Sequence, residues 1–320
     1  EAFARVAQKY PKSAKLVPQA LYRQGLSLQN LKQWAVAENA LTDLLKRFPD
    51  DPHAVSALRA IGLGQEEQQQ YDRAIVTFQK LIKDYGDRPN ADLDQAWYEL
   101  AWCYQKLGQR EKMLAAYDKL SSKYPESPLV ADAYFHLAED RYKREEFDKA
   151  LALYEKAIAI APDERLKDKA LYRIGWCYWS QKKYPQAEEY FDKLANTYPN
   201  SDLLADALLN SGEAHLRSND PASAAKRLER LVEGPDGKDF KHLADAHLHL
   251  AEARIQLGKS DEAMKTLNAL KSRFPKYDRM SEVNFAIGRC LFEKKQYARA
   301  VEQLGAVVES ESAAVRTQAR

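Results

Sequence analysis

The chain has 320 residues, of which 45% are hydrophobic and 30% charged, and its 49 Lys and Arg against 47 Asp and Glu leave a formal net charge of +2. Because both signs are interspersed, the chain lacks the dense basic stripe on which nucleic-acid binding depends, and no nucleic-acid partner is expected. No run reaches the roughly 18 to 20 uncharged apolar residues that a membrane-spanning helix needs, so direct membrane insertion of this stretch is not expected.

Residues 1–11 form the first predicted element, a helix that ends at Pro11. Phe3 lies eight residues before Pro11, just as Leu41 lies eight residues before Pro49. Since the segment before Pro49 is the second helix of a repeating unit described next, residues 1–11 are predicted to be the second helix of a truncated repeat.

Residues 12–320 are predicted to form one continuous array of repeats. A small residue, here called the anchor, recurs in steps of 37 or 39 residues. Twelve residues after the anchor comes Ala in seven units and Met in one, and four residues later comes Leu, Phe or Tyr. The eight anchors are Gly25, Gly62, Ala101, Ala138, Gly175, Gly212, Ala251 and Gly288.

Each unit contains two stretches with apolar residues at i, i+3, i+4 and i+7, which predicts a helical hairpin. Gly108 and Gly258 are predicted to end first helices, and Ser260 to cap the helix that follows. A small anchor is expected because two closely crossing helices leave no room for a side chain larger than a methyl group, and the residue at plus sixteen fills the adjoining gap.

The phrase "KYPESPLVADAYFHLA" at residues 123–138 returns as "TYPNSDLLADALLNSG" at residues 197–212. Pro125 cannot continue a helix, Ser127 can accept hydrogen bonds from free amides, and Pro128 suits a first helical turn. Asp51 and Pro52 form the same kind of pair, a capping residue followed by proline, in an earlier unit. The phrase therefore marks the point where one hairpin ends and the next begins.

The last residues, "SAAVRTQAR", could begin a further unit. Because arrays of this kind need polar capping repeats at their ends, we expect a longer parent protein, with a signal peptide, a lipid anchor or further repeats as possible flanking segments.

The pattern resembles the tetratricopeptide repeat (TPR), whose signature is W-x2-L-G-x2-Y, then A-x3-F, then P. The third unit supplies Trp97, Leu100, Ala101 and Tyr104. The resemblance implies an all-α, right-handed superhelical solenoid of about eight TPR-like helix-turn-helix repeats. Departures are the period of 37 to 39 residues against 34, Gln24 and Ser211 at apolar positions, and the weak sixth unit. At these positions the local packing, but not the fold, is expected to differ from the family pattern.

The longer period with its "YPxS" phrases resembles the bacterial envelope subgroup of these repeats, of the outer-membrane assembly lipoprotein and Tol-Pal-associated cell-division coordinator type. That resemblance implies a periplasmic or envelope-associated scaffold without catalytic residues; a cytoplasmic location stays open.

No enzyme, cofactor or metal site is expected. Cys103, Cys177 and Cys290 occupy equivalent positions in units too far apart to pair, which indicates small core residues. His242 and His249 lie about two helical turns apart, which is a poor spacing for zinc ligands. The sequence contains no nucleophile elbow, phosphate-binding glycine loop or HExxH.

The first helices carry aromatic residues on the face opposite their packing stripe, where a surface helix should be polar. In the family this face lines a concave groove, and we call it the groove-side face. Exposed aromatic patches mark binding sites and dominate their energetics. The alternative is that the rings are tucked between neighbouring helices. The predicted anchors for a protein or peptide segment are Tyr98, Trp102, Phe135, Tyr142, Tyr172, Trp176 and Trp179.

Farther along the same face come carboxylates, which predict an acidic end of the groove; an ordinary solvated charged face is the alternative. They are Asp206, Glu213, Asp245 and Glu252, with Glu282 beyond them. The resulting hypothesis is a non-enzymatic scaffold that grips an extended or helical segment of a partner. The alternative is an assembly scaffold that uses convex faces or loops and has no peptide groove. The partner and the oligomeric state do not follow from the sequence.

Overall fold

A computed structural model describes residues 2–10, 13, 15–86 and 93–308. Within these residues all regular structure is helical. The α-helices are α1 Ala2–Lys9, α2 Leu16–Asn30, α3 Trp34–Arg47, α4 His53–Glu67, α5 Tyr71–Tyr85, α6 Asp94–Lys106, α7 Arg110–Lys123, α8 Leu129–Lys143, α9 Phe147–Ile160, α10 Glu164–Ser180, α11 Tyr184–Thr197, α12 Leu204–Arg217, α13 Pro221–Glu233, α14 Leu243–Gln256, α15 Ser260–Arg273, α16 Met280–Glu293 and α17 Tyr297–Val308. A 3-10 helix, Pro235–Gly237, lies between α13 and α14.

From α2 onward each anchor lies in an even-numbered first helix, and an odd-numbered second helix follows it. The predicted all-α fold of tandem helical hairpins is confirmed. Contacts within the chain define two compact units, Glu1–Leu137 and Ala138–Arg320, and the division falls inside α8. Each unit is described by itself. Glu1, Pro11 and residues 309–320, on which expectations for the two ends rested, lie outside the described residues.

Every hairpin turns at the same position, seven residues after its anchor, where the backbone is left-handed. The next amide donates to a carbonyl five residues back, as from Lys183 to Tyr178 at 2.9 Å. This is the Schellman arrangement that ends helices. Gly108 and Gly258 therefore end first helices as predicted. The other six turns have φ between 57° and 61° at Lys32, Gln69, Glu145, Lys182, Asn219 and Lys295.

Ser260 does not cap α15, although its type and position suggested a cap. Lys259 holds the capping position without a side-chain hydrogen bond. The Ser260 hydroxyl instead donates to the Glu293 carboxylate of the next first helix. Ser260 is the first residue of the helix and therefore lies one position past the cap.

The glycine anchors leave room for the residue sixteen positions later. A β-carbon added to Gly175 would lie 2.6 Å from the ring of Phe191, and one added to Gly212 would lie 2.5 Å from Leu228. Phe191 is fully buried. The predicted filling of the gap at plus sixteen is confirmed for these hairpins, and the absent side chain allows the two helices to approach closely.

The repeated "YPxS" phrase joins successive repeats. Ser127 accepts from the amide of Leu129 at 3.2 Å, which satisfies the free N-terminus of α8, and its hydroxyl donates to Asp94 of the preceding first helix at 2.6 Å. Ser201 makes the same pair of bonds, donating to Asp168 at 2.5 Å. The predicted capping by Ser127 is confirmed. The additional bond to a carboxylate fixes each of these two hairpins to the one before it.

Ser211, which departs from the apolar pattern, belongs to a polar network in the second unit. It is fully buried and donates to Asp192 at 2.5 Å. Arg227 donates two bonds to the same carboxylate at 2.6 and 2.5 Å, and His215 lies 3.4 Å from it. Although burial opposes ionisation, these bonds hold the pKa of Asp192 well below its usual range. The network joins α11, α12 and α13.

The three cysteines are buried and unpaired, as predicted for small core residues. Burial raises the pKa of the Cys290 thiol to about 11, so the reactive thiolate is disfavoured. Their role is packing within the first helices.

Candidate protein-binding surface

The predicted anchor residues lie in both units, and each unit has its own aromatic cluster. The first unit contains Tyr98, Trp102 and Phe135 on α6 and α8. The second unit contains the remaining anchors on α8 and α10: Tyr142, Tyr172, Trp176 and Trp179. All seven side chains are half-buried, so none is enclosed and none is fully exposed.

In the first unit, His136 lies at the centre of the cluster. Its ring centroid is 6.4 Å from both Tyr98 and Trp102, and 6.2 Å from Phe135. Below it, the buried Tyr117 stacks on the imidazole at 5.3 Å. The imidazole thus brings all three predicted anchors of this unit into one contiguous patch.

A positive charge lies beside this patch. The Lys106 ammonium lies 4.2 Å from the centroid of the Trp102 ring, within the range of a cation–π contact. Burial, with a smaller contribution from Asp132 and Glu99, raises the pKa of Tyr98 to about 12. The Tyr98 hydroxyl therefore stays neutral and can donate a hydrogen bond to a partner.

One carboxyl group of the first unit, that of Glu66, has a strongly raised pKa. Glu66 accepts from the Cys103 thiol at 2.8 Å. Burial raises the pKa of Glu66 from 4.5 to about 7; the thiol bond opposes this shift, and the charges of Glu99 and Glu67 add to it. Near neutral pH Glu66 is therefore only partly ionised.

Replacing Glu66 by Gln is expected to stabilise the protein at pH 8 and to have little effect at pH 4. Between pH 4.5 and about 7 the folded state binds more protons at Glu66 than the unfolded state does, so the stability of the native protein falls as the pH rises through that window. The neutral amide removes this penalty. Urea denaturation midpoints from pH 4 to pH 8 measure the stability difference between the variant and the wild type. Glu126→Gln, at an exposed site, is the control. An equal gain at both pH values would contradict the assignment.

In the second unit, Trp176 lies at the centre of the aromatic cluster. Its ring meets Tyr172 at 6.2 Å and Trp179 at 5.9 Å, both edge to face. It also packs edge to face on the buried Phe191 at 6.1 Å. The Tyr172 hydroxyl accepts from Asn210 at 3.0 Å. The indoles are therefore held in place by rings beneath them while part of their surface stays open.

Tyr142 lies beside an ion pair on the same face. Its ring faces the Arg173 guanidinium at 5.8 Å, and its hydroxyl lies 3.4 Å from the hydroxyl of Ser180. Arg173 pairs with Glu139 at 2.8 Å. The buried Tyr154 donates to the same carboxylate at 2.5 Å. This arrangement fixes Arg173 between α8 and α10.

Most of the predicted acidic residues are accompanied by arginine. Glu252 accepts two bonds from Arg289 at 2.9 and 3.0 Å, and Asp245 accepts from Arg279 at 3.1 Å. A third pair joins Glu213 to Arg217 at 3.3 Å. Asp206 is half-buried near Tyr172. Burial raises the pKa of Tyr172, and the charge of Asp206 raises it further. The acidic end of the groove stays a prediction, and the structure adds three cations to this surface.

The arrangement offers apolar contact, stacking and hydrogen bonds to a partner. Among residues 2–10, 13, 15–86 and 93–308, no group of three His, Cys, Asp or Glu side chains is placed to hold a metal ion. Within the same ranges, no helix combines the length and apolar character needed to cross a bilayer.

Sequence reasoning missed His136 and Arg173, which organise the two clusters. Both lie two residues before their anchors, and Asn210 and His249 hold the same place in later units. The recurrence of polar residues at that position was the signal that could have identified them. The arginine partners Arg279 and Arg289 carried no such signal.

Comparison with known families identifies repeats over most of the chain. Models described as tetratricopeptide repeat match residues 22–89, 92–163, 141–210 and 215–283, which together cover most of the chain. No curated protein matches the chain.

Similar solved structures include the apo form of RapI, with a TM-score of 0.56, 13% identity, and coverage of 83% of this chain and 80% of that one. The C-terminal part of a TPR repeat-containing protein from Cytophaga hutchinsonii has a TM-score of 0.51 and 17% identity. The match covers 88% of this chain and 99% of that one. YrrB, described as a TPR protein with an unusual peptide-binding site, has a TM-score of 0.51 and 20% identity. The match covers 64% of this chain and 97% of that one. At these identities the likeness concerns the fold alone. With the family matches over four segments, it follows that this chain belongs to the tetratricopeptide repeat family.

Proposed function

We propose that the chain is a non-enzymatic scaffold that binds a protein or peptide segment along the groove-side face of its first helices. One observation carries the proposal: the indoles of Trp102 and Trp176 are half-buried, and each contacts a neighbouring aromatic ring while part of its surface stays exposed. Large rings held in one orientation lose little conformational freedom on binding and bury much apolar area.

The two aromatic clusters serve as anchors for apolar side chains of the partner. Tyr98, Trp102 and Phe135 form one anchor surface, and the rings around Trp176 form the other. Truncating a tryptophan at the centre of an interface lowers affinity by about 30-fold or more. Arg279, Arg289 and the carboxylates beside them supply polar contacts that set the register of the bound segment.

We place this scaffold in a bacterial envelope complex, in the periplasm, with the cytoplasm as the alternative. The support is the 37-residue period with its "YPxS" phrases, which resembles the envelope subgroup. Fractionating source cells that carry the tagged full-length protein tests the location.

The double variant Trp102→Ala/Trp176→Ala is expected to lose partner binding while keeping its helical content. Immobilised wild-type and variant proteins are compared by quantitative mass spectrometry of proteins retained from a lysate of the source cell. Partners are expected to be depleted about 30-fold or more by the double variant. Circular dichroism checks the fold.

The matched control is Tyr71→Ala/Tyr190→Ala, which truncates two half-buried rings on second helices instead. It is expected to retain the partners. If the groove-side variant and the control retain the same proteins in the same amounts, the aromatic rings are packing residues and the groove is not the binding surface.

A further inference from the structure

A cavity of about 370 Å³ lies in the first unit, on a different side of α6 from Tyr98 and Trp102. It is bounded by α5 and α7 and floored by α6, with Ile82, Trp97 and Leu100 among its lining residues. Since neighbouring residues on a helix point about 100° apart, Trp97 is directed away from Tyr98 and Trp102. We call this cavity the lysine slot.

The lysine slot lies where the repeat spacing lengthens. It spans the 39-residue step from Gly62 to Ala101, and the connection between α5 and α6 has eight residues. All five 37-residue steps have connections of three to six residues between a second helix and the next first helix. A longer connection allows neighbouring second helices to separate, which opens space above the first helix between them.

The second unit repeats this relation. A cavity of about 500 Å³ lies over α14, across the other 39-residue step, from Gly212 to Ala251. Its lining residues occupy the same positions relative to the anchors, but the chemistry differs. Glu233 stands in place of Lys83, Glu262 in place of Lys112, and His247 in place of Trp97.

Charge distinguishes the lysine slot. Three of its ten lining residues are lysines, Lys83, Lys112 and Lys119, and none is Asp or Glu. All three are exposed. In the described part of the chain, no carboxylate forms an ion pair with any of them. An apolar floor is thus surrounded by ammonium groups that no described anion neutralises.

We propose that the lysine slot binds an acidic peptide segment of a partner protein, which inserts one bulky apolar side chain against Ile82, Trp97 and Leu100. Carboxylates next to that side chain meet Lys83, Lys112 and Lys119. The cavity volume falls within the range of ligand pockets, and few charged groups over an apolar floor give such pockets their specificity. This second binding surface does not depend on the groove.

The test uses protein labelled with 5-fluorotryptophan, because the five tryptophans separate the two surfaces. Trp97 reports on the lysine slot, and Trp102 and Trp176 report on the groove. The spectrum of Trp97→Phe assigns the slot resonance. The probe is an acetylated, amidated pentapeptide with Phe between two pairs of Glu. It is expected to shift the Trp97 resonance saturably; a peptide with Lys in place of Glu, or Ala in place of Phe, is expected not to.

The variant Lys83→Glu/Lys112→Glu places in the lysine slot the charges that the second cavity carries. This variant is expected to bind the acidic peptide at least about tenfold more weakly, because the new glutamates face the carboxylates of the peptide. The control Lys32→Glu/Lys46→Glu makes the same change of net charge at exposed positions of the first hairpin, outside the slot, and is expected to have less than a twofold effect. The proposal is overturned if the Trp97 resonance does not shift when the acidic peptide is added. It is also overturned if both variants lower the affinity for the peptide equally.

Discussion

Asp192→Ala is expected to lower the free energy of unfolding of the second unit by about 3 kcal/mol, the lower end of what removing one partner from a buried ion pair costs. The substitution leaves the Arg227 guanidinium, whose side chain is 20% exposed, and the hydroxyl of Ser211 without their acceptor. Urea denaturation followed by circular dichroism measures the change.

The contribution of this network should also depend on pH. Because the pKa of Asp192 is lowered, its stabilisation is present above the ordinary pKa of an aspartate and is lost as the pH falls. Although burial opposes the charged form of His215, its hydrogen bond to Asp192 and the charge of Glu188 raise its pKa. That stabilisation is complete below the ordinary histidine pKa and is lost as the pH rises. The difference between wild type and variant is therefore expected to be largest at mildly acidic pH.

Asp43→Ala is the matched control, since Asp43 pairs with Arg47 on a single second helix at an exposed site. Exposed pairs of this kind contribute about 0.5 kcal/mol or less. Equal losses for the two variants would show that the Asp192 network contributes no more than a surface pair.

Gly175→Val is the second substitution with a large expected effect, a loss of about 2 kcal/mol or more. Even the β-carbon would lie 2.6 Å from the Phe191 ring, and valine adds two further carbons. Since Phe191 supports Tyr172 and Trp176, its displacement should also disturb the aromatic cluster of the second unit. Denaturation midpoints and the fluorine resonance of Trp176 measure the two effects.

Gly305→Ala is expected to stabilise the protein, in contrast to Gly175→Val. Gly305 lies within α17, and a β-carbon there would meet no atom within 4 Å. Alanine is therefore expected to stabilise the helix by about 0.5 to 1 kcal/mol, the usual difference in helix propensity. If Gly175→Val were as harmless as Gly305→Ala, close helix contact would not explain the glycine anchors.

The sequence was sufficient for the hairpins because their determinants are local. A small anchor, a large residue at plus sixteen and a capping serine act within one repeat, so spacing alone placed Gly175, Phe191 and Ser127 correctly. Ser260 was misassigned because Lys259, one residue earlier, holds the capping position, and the Ser260 hydroxyl donates to Glu293 of the next repeat.

Pairing between repeats could not be predicted in this way. Glu139 and Glu252 both follow their anchors directly, yet Glu139 pairs with Arg173, 34 residues on, and Glu252 with Arg289, 37 residues on. Long side chains can reach either neighbour on the adjacent helix, and the sequence does not specify which one. The aromatic face could be recognised, but its use as a groove remains our proposal.

The hairpin turns carry a consequence for how such chains diversify. Lys, Gln, Glu and Asn all occupy the left-handed position that glycine fills in the two other turns, so main-chain hydrogen bonds and not residue identity enforce the reversal. Mutational drift at these sites can therefore alter the surface charge at every bend without disturbing the architecture. A gene lineage could acquire new binding preferences there at little structural risk.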